Sequence, residues 1–320
     1  MNVAVIGLGN IGKLHKYVLE KLGITVKAIC DVEVKKAIGY SGKFYTDYRE
    51  MLDKEDIDAV HICTPHYLHA EMIIRALENG INVLCEKPLC IELKDIPRIL
   101  NAEKNSRAIL GLCHQNRFNE VNVFTKKYIE DKKIISAHGT LVWRRDAEYY
   151  ASGSWRGKKS TEGGGVLINQ ALHTLDLMQW LCGMPKAVSA SVGNLSLKGI
   201  IETEDTASLY CEGTNDFTFI ATNAGKADMP AEMEFMLDNG ETLNVFPDKL
   251  LINGEKAFGE DLSCENRKNC YGNGHEKLIK SFYSCVADKR RFEIDGEEGS
   301  KAVKIILAAY ASGGNRKEIN

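Results

Sequence analysis

Short apolar runs alternate with stretches of helical period along roughly the first 115 residues. Residues 2–6 (Asn-Val-Ala-Val-Ile) predict a buried strand, and Leu14, Val18, Leu19 and Leu22 predict a helix closed by Gly23. A second strand is expected from Thr25 to Cys30, a short helix over 48–53 capped by Asp47, and a third strand from Ile57 to Cys63. A helix from His69 ends at Asn79-Gly80. Strand 81–85 follows, then a helix over about 92–104 with Pro97 in its first turns, then a strand from Ala108 to Cys113. Such alternation describes a doubly wound parallel sheet of five or six strands.

Past Gln115-Asn116-Arg117-Phe118 the texture changes. One helix, about 119–130, precedes strand-like stretches at 134–144, 187–195, 206–213, 216–222, 231–237 and 241–246. Asp238-Asn239-Gly240 joins the last two as a hairpin turn. Consecutive strands of this kind predict a large, mostly antiparallel open sheet, and helices over 275–288 and 297–312 complete the chain. The expected organisation is a parallel-sheet domain over 1–118 and an α+β domain over 119–320. From Val166 to Leu181 the apolar residues repeat at helical spacing, which sets Asn169, His173 and Asp176 on one face.

Composition narrows the classes. A chain of 320 residues exceeds the roughly 100–200 of one domain, and 44% hydrophobic with 27% charged residues fits a globular protein. Forty-one Lys and Arg against forty-four Asp and Glu leave a net charge of −3 without a basic run, so nucleic acid is not an expected partner. No apolar run reaches the roughly 20 residues of a membrane span, and a cytoplasmic location is expected. The ten cysteines lie mostly within apolar segments and form no Cys-x-x-Cys pair, so reduced thiols are expected. Cys264 and Cys270 stand in a polar loop without histidines at zinc spacing, and no metal is expected.

The chemistry concentrates in a few stretches. Gly7-Leu8-Gly9-Asn10-Ile11-Gly12 lies between strand and helix, the context in which glycines make the turn, admit a pyrophosphate and let helix pack on strand. Asp31, about 20 residues on, ends the second strand, where a carboxylate accepts from a ribose 2'-hydroxyl and favours NAD over NADP. Its plain alternative is a cap or turn residue. Thr64-Pro65-His66 and Cys85-Glu86-Lys87-Pro88 follow strands at the edge where open α/β sheets bind ligands. Lys87 can hold an ammonium beside a reacting oxygen; otherwise it is a surface lysine before a turn proline. His66 and His69 read either as site histidines or as turn and helix-start residues. Downstream, Gly163-Gly164-Gly165 precedes Asn169, His173 and Asp176, a polar stripe that faces water or lines a site. Trp155-Arg156 reads as an anion clamp or as a packed surface pair.

Taken together, Gly7/Gly9/Gly12, Asp31, Thr64-Pro65, Glu86-Lys87-Pro88, Arg117-Phe118 and Gly163-Gly164-Gly165 with His173 and Asp176 resemble the glucose-fructose oxidoreductase / inositol dehydrogenase (Gfo/Idh/MocA) family over nearly the whole chain. The resemblance implies an NAD(P)-dependent oxidoreductase acting on a hydroxyl of a sugar, sugar nucleotide or cyclitol, with the active site in the cleft between domains. Lys87 would orient the substrate and hold the reacting oxygen, and His173 would take the proton. Gly7, Gly9, Asn10, Ile11, Gly12, Asp31, Thr64, Pro65, His66, Glu86 and Lys87 would contact the cofactor. Lys87, Arg117, Arg156, Asn169, His173 and Asp176 would contact the carbohydrate. Two departures stand out: Asn169 replaces a common aspartate, and His66 a common asparagine. A glycoside hydrolase that retains NAD and a non-catalytic sugar sensor are the competing readings. An uncovered face of the second sheet predicts a homodimer or homotetramer.

Overall fold

The computed structural model describes residues 1–262 and 273–319. The chain folds as two compact units, Met1–His114 with His275–Ser300, and Gln115–Gly274 with Lys301–Asn320. The first carries β1 (Asn2–Ile6), α1 (Asn10–Lys21), β2 (Thr25–Cys30), β3 (Lys43–Tyr45), α2 (Tyr48–Lys54), β4 (Ala59–Ile62), α3 (His69–Glu78), β5 (Asn82–Glu86), α4 (Asp95–Asn105) and β6 (Leu110–Cys113). Its strands are parallel in the order β3-β2-β1-β4-β5-β6. The order reverses between β1 and β4, so loops following those strands open onto the crevice where doubly wound sheets bind ligands. Continuous apolar runs are needed because β4 and β6 are buried at every residue and β1 and β5 at all but the first. Asp47 caps α2 as expected, accepting from the Arg49 amide at 2.8 Å.

The second unit begins with α5 (Glu120–Tyr128), β7 (Ile134–Val142), α6 (Ala147–Ala151), α7 (Leu172–Cys182), β8 (Ala187–Gly193), β9 (Thr206–Glu212), β10 (Phe217–Thr222), β11 (Glu232–Leu237), β12 (Thr242–Val245), β13 (Lys249–Ile252) and β14 (Glu255–Gly259). The chain then forms α8 (Gly274–Asp288), α9 (Gly296–Ser312) and β15 (Lys317–Glu318). Nine strands pair in the order β14-β13-β12-β11-β7-β10-β9-β8-β15, antiparallel throughout except β7 with β10. Burial alternates along β9, β10 and β11, giving the sheet a packed face and an open one. The 238–240 turn forms the expected hairpin, with Gly240 at φ +85°.

Besides the short elements β3, α6 and β15, which the pattern did not indicate, other features differ from the pattern reading. Residues 275–300 fold with the first unit: Phe282 and Phe292 pack over Gly111, where a Cβ would come within 2.8 and 2.9 Å of their rings, and the Leu112 amide donates to the Ile294 carbonyl at 2.8 Å. Strands β13 and β14 were not anticipated, because Asn253-Gly254 punctuates a stretch with little alternation. Lastly, the helix expected from Val166 starts only at Leu172. The Gly165 and Leu167 amides donate to the Glu204 carboxylate, and the Val166 amide to the Glu204 carbonyl, diverting the backbone from helix. Asn169 therefore lies in a turn ahead of α7 instead of on its face with His173 and Asp176.

All eight cysteines among the described residues are buried and free. Burial pushes the Cys30 thiol up to about 12, assisted by Asp31 and Asp47, so it packs as an apolar group. Cys264 and Cys270 lie outside the described residues.

Candidate active site

In the first unit, β1 leads into the glycine loop. Gly7 sits at φ +89°, and a side chain there would meet the Cys63 carbonyl; a Cβ on Gly12 would run into the Gly7 carbonyl. The fold itself requires both glycines. Gly9 is different: no atom approaches within 4 Å of its Cβ position. It precedes the first residue of α1, whose opening turn has no side-chain cap and no acidic residue. Open space beside uncapped helix amides is what an incoming pyrophosphate needs.

Asp31 closes β2 beside that loop, 7% exposed. Its carboxylate accepts from the Leu8 amide at 2.7 Å and the Glu33 amide at 2.9 Å, and from the Lys36 ammonium at 3.1 Å. One carboxylate is thereby fixed to the turn that would carry the phosphates. Lys36 carries no motif in the sequence and was not anticipated.

The loops after β4 and β5 are joined by a histidine. His69, fully buried, places Nδ1 2.7 Å from the Pro88 carbonyl and Nε2 2.9 Å from the Thr64 carbonyl. It thus ties Thr64-Pro65 to the cis Lys87-Pro88 turn, with His66 buried alongside. Burial holds the His69 pKa below its ordinary value, and a neutral ring donates to only one of the two carbonyls at a time. Glu86 points inward. Its Oε1 lies 3.0 Å from Nε2 of His15 and 3.3 Å from Nε2 of His275, and its Oε2 accepts from the Lys87 amide at 3.3 Å. The His15 ring continues to His61, Nδ1 to Nδ1 at 2.8 Å, and Nε2 of His61 meets the Tyr283 hydroxyl at 2.8 Å. Burial alone would raise the Glu86 pKa; hydrogen bonds from His15 and His275 outweigh it and hold the carboxyl well below its usual range.

In the second unit, the Gln115 amide nitrogen lies 3.3 Å from Nε2 of half-buried His173, which makes that nitrogen the acceptor. Arg117 and Asp176 form a buried two-point pair, Nε to Oδ2 at 2.7 Å and Nη2 to Oδ1 at 2.6 Å, joined by Gln179 at 3.1 Å. The pair locks the 115–118 turn to α7 one turn beyond His173. Asn169 donates to the buried carboxylate of Glu162 and, at 3.4 Å, to the Tyr149 hydroxyl. That oxygen also accepts from Arg156 at 2.6 Å and Gln170 at 3.0 Å. The Arg156 guanidinium lies 4.5 and 4.6 Å from the ring centres of Tyr149 and Trp155.

Sequence reasoning missed His15, His61, His275, Tyr283, Tyr149 and Glu162. His15 and His61 did carry a signal. One shares the buried stripe of α1 with Gly12, Val18 and Leu19, and the other interrupts the wholly buried Ala59-Val60-His61-Ile62. A polar ring at such positions must find polar partners. Tyr149 and Glu162 are joined to Asn169 by folding of the loop alone.

This architecture defines a Rossmann-type unit followed in the chain by a mixed-sheet unit with a glycine-led histidine helix. The chain belongs to the Gfo/Idh/MocA family. Residues 1–114 match the profile described as oxidoreductase family, NAD-binding Rossmann fold, and residues 132–243 match the GFO/IDH/MocA C-terminal domain. Levoglucosan dehydrogenase of Pseudarthrobacter phenanthrenivorans is 30% identical over 59% of this chain and 53% of its own length. The 2,7-anhydro-N-acetylneuraminate hydratase of Mediterraneibacter gnavus is 31% identical over 61% of this chain and 53% of its own. In both matches the aligned region spans about half of the relative's length. Among solved structures, the WlbA dehydrogenase of Bordetella pertussis in complex with NADH and UDP-GlcNAcA superposes with a TM-score of 0.89 at 25% identity, covering 100% of this chain and 98% of that one.

Proposed function

We propose that this chain is an NAD-dependent oxidoreductase that moves hydride between nicotinamide and a hydroxyl-bearing carbon of a sugar, sugar nucleotide or cyclitol. The observation that carries the reading is the Glu86-Lys87-Pro88 turn at the β5 edge, held by His69, in a chain whose α7 presents His173 with an acceptor nitrogen. The first unit takes the cofactor and the second most of the carbohydrate. The Gly9-Asn10-Ile11 amides would hold the cofactor's pyrophosphate, and Asp31 would accept from a ribose hydroxyl, which favours NAD over NADP. Thr64, Pro65, His66 and the main chain of Glu86 lie along the same sheet edge and complete that site.

Bound NAD supplies the hydride acceptor. As the C-H bond breaks, negative charge gathers on the substrate oxygen; the Lys87 ammonium stabilises it, and the Nε2 lone pair of His173 takes the hydroxyl proton. Arg117 and Asp176 position this helix through their mutual pair. Arg156, flanked by two aromatic rings, clamps an anionic part of the substrate, and Asn169 reaches a hydroxyl. The resemblance to a WlbA dehydrogenase complexed with UDP-GlcNAcA supports a sugar bearing a carboxylate or diphosphate.

The hydratase relative, whose name describes addition of water without net oxidation, favours a second reading in which no NADH accumulates. A panel of inositols, aldoses, anhydrosugars, uronates and nucleotide sugars incubated with NAD and followed at the nicotinamide absorbance separates the two. NADH accumulating with substrate loss supports the dehydrogenase, and substrate loss without NADH supports the second reading. The open face of the second sheet carries Ile135, Tyr210, Ile220 and Met236, each more than 40% exposed, which supports a homodimer or homotetramer through that face.

A further inference from the structure

We propose that His15, Glu86 and His275 form a buried binding site for a divalent transition-metal cation of the zinc class. Among the described residues they are the group of histidine, cysteine and acidic side chains whose ligand atoms converge, all within 4.8 Å of one another. All three are buried, at 0, 6 and 1% exposure, inside the first unit. Two imidazoles and a carboxylate are a donor set that zinc takes in sites with one open position.

The spacing fits such an ion. Bonds of about 2.0–2.1 Å in tetrahedral array set ligand atoms about 3.3–3.4 Å apart. The Glu86 oxygen is 3.0 Å from Nε2 of His15 and 3.3 Å from Nε2 of His275, so it already lies close to both tetrahedral edges. The two imidazole nitrogens lie within 4.8 Å of each other, so an ion between them needs the rings to draw closer.

The surrounding groups supply the outer support that metal-bound histidines use. With the ion present, Nε2 of His15 gives its lone pair and the ring proton moves to Nδ1, where it is donated to Nδ1 of His61. The His61 proton then sits on Nε2 and is donated to the Tyr283 oxygen, across the same 2.8 Å separations. Without the ion the chain of donors runs the other way, from Tyr283 through His61 and His15 to Glu86. For the His15 and His61 rings, both directions use the same heavy atoms and the same number of ring protons. Because His15 stands on α1, Glu86 ends β5 and His275 opens α8, an ion here would cross-link segments far apart in sequence. Its oxygen ligand also lies next to Lys87 in the chain.

The test is Co²⁺ titration of chelator-treated protein, read by visible d–d absorption and by thermal unfolding. We expect one saturable site, a raised melting midpoint and displacement of Co²⁺ by Zn²⁺. His15→Gln and His275→Gln should each weaken binding by about 100-fold or more, and His61→Phe by about 10–100-fold. X-ray absorption at the zinc edge of the wild-type chain decides the matter even where a variant misfolds. Two imidazoles and a carboxylate oxygen support the proposal. A shell containing sulfur, no saturable Co²⁺ band, or unchanged affinity in the folded variants overturns it.

Discussion

The two units secure their candidate site side chains with a different emphasis. In the first, side chains hold main chain as well as one another: His69 the Thr64 or the Pro88 carbonyl, Asp31 the Leu8 amide, Glu86 the Lys87 amide, and His15 both Glu86 and His61. In the second, the side chains nearest His173 and Asn169 hold one another, Arg117 with Asp176, and Glu162, Asn169, Tyr149 and Arg156 in a row, while Glu204 and Glu162 also grip main-chain amides. Anchoring to main chain ties a site to the fold, whereas a lattice of side chains can be respecified by substitution. On the proposed reading, a constant cofactor suits the first arrangement and a variable substrate the second.

The contrast predicts separable failures. His173→Ala should lower turnover by about 10²–10⁴-fold as a lost general base, with the fold and NAD affinity intact by circular dichroism and cofactor titration. A melting midpoint that drops while turnover holds would assign His173 to packing. Asp176→Ala should act on stability instead, since it leaves the Arg117 charge buried, at a cost of about 3–5 kcal/mol in urea unfolding. Arg156→Ala should raise KM for an anionic substrate by about tenfold or more, the loss of one charged hydrogen bond, and leave kcat nearly unchanged. Equal KM in wild type and variant would remove the clamp.

The smallest effect concerns pH. The folded pKa of His69 lies below its unfolded value of about 6.5, so the unfolded chain binds a proton that the folded chain refuses. Its contribution to stability is full above that unfolded value and lost as pH falls toward the folded pKa. His69→Asn should flatten the dependence of unfolding free energy, from urea titrations, on pH below about 6.5, by at most about 1.4 kcal/mol per pH unit. An unchanged slope would show that the unfolded chain has no proton advantage here.

What the sequence revealed follows the same division. The glycine loop, Asp31 and the Lys87 turn were legible because each is a local pattern at a strand's end, and a parallel sheet of five or six strands follows from alternation, though the short edge strand β3 and the strand order were not read. The hairpin at 238–240 was legible for the same reason. Glu204 was not, since its grip on the Gly165 and Leu167 amides spans the sequence, and so the start of α7 was read six residues early. Tyr149 and Glu162 became neighbours of Asn169 only through loop folding. The convergence of the buried His15, Glu86 and His275 was not legible either, since the three have no shared spacing to notice.

The central claim is that Lys87 stabilises charge on the reacting oxygen. It is tested most directly by Lys87→Ala, with NAD affinity titrated separately and turnover measured on the substrate found in the panel. Turnover should fall by about 10²–10³-fold in a folded variant that binds NAD as wild type does. Near-normal turnover under saturating substrate would contradict the account.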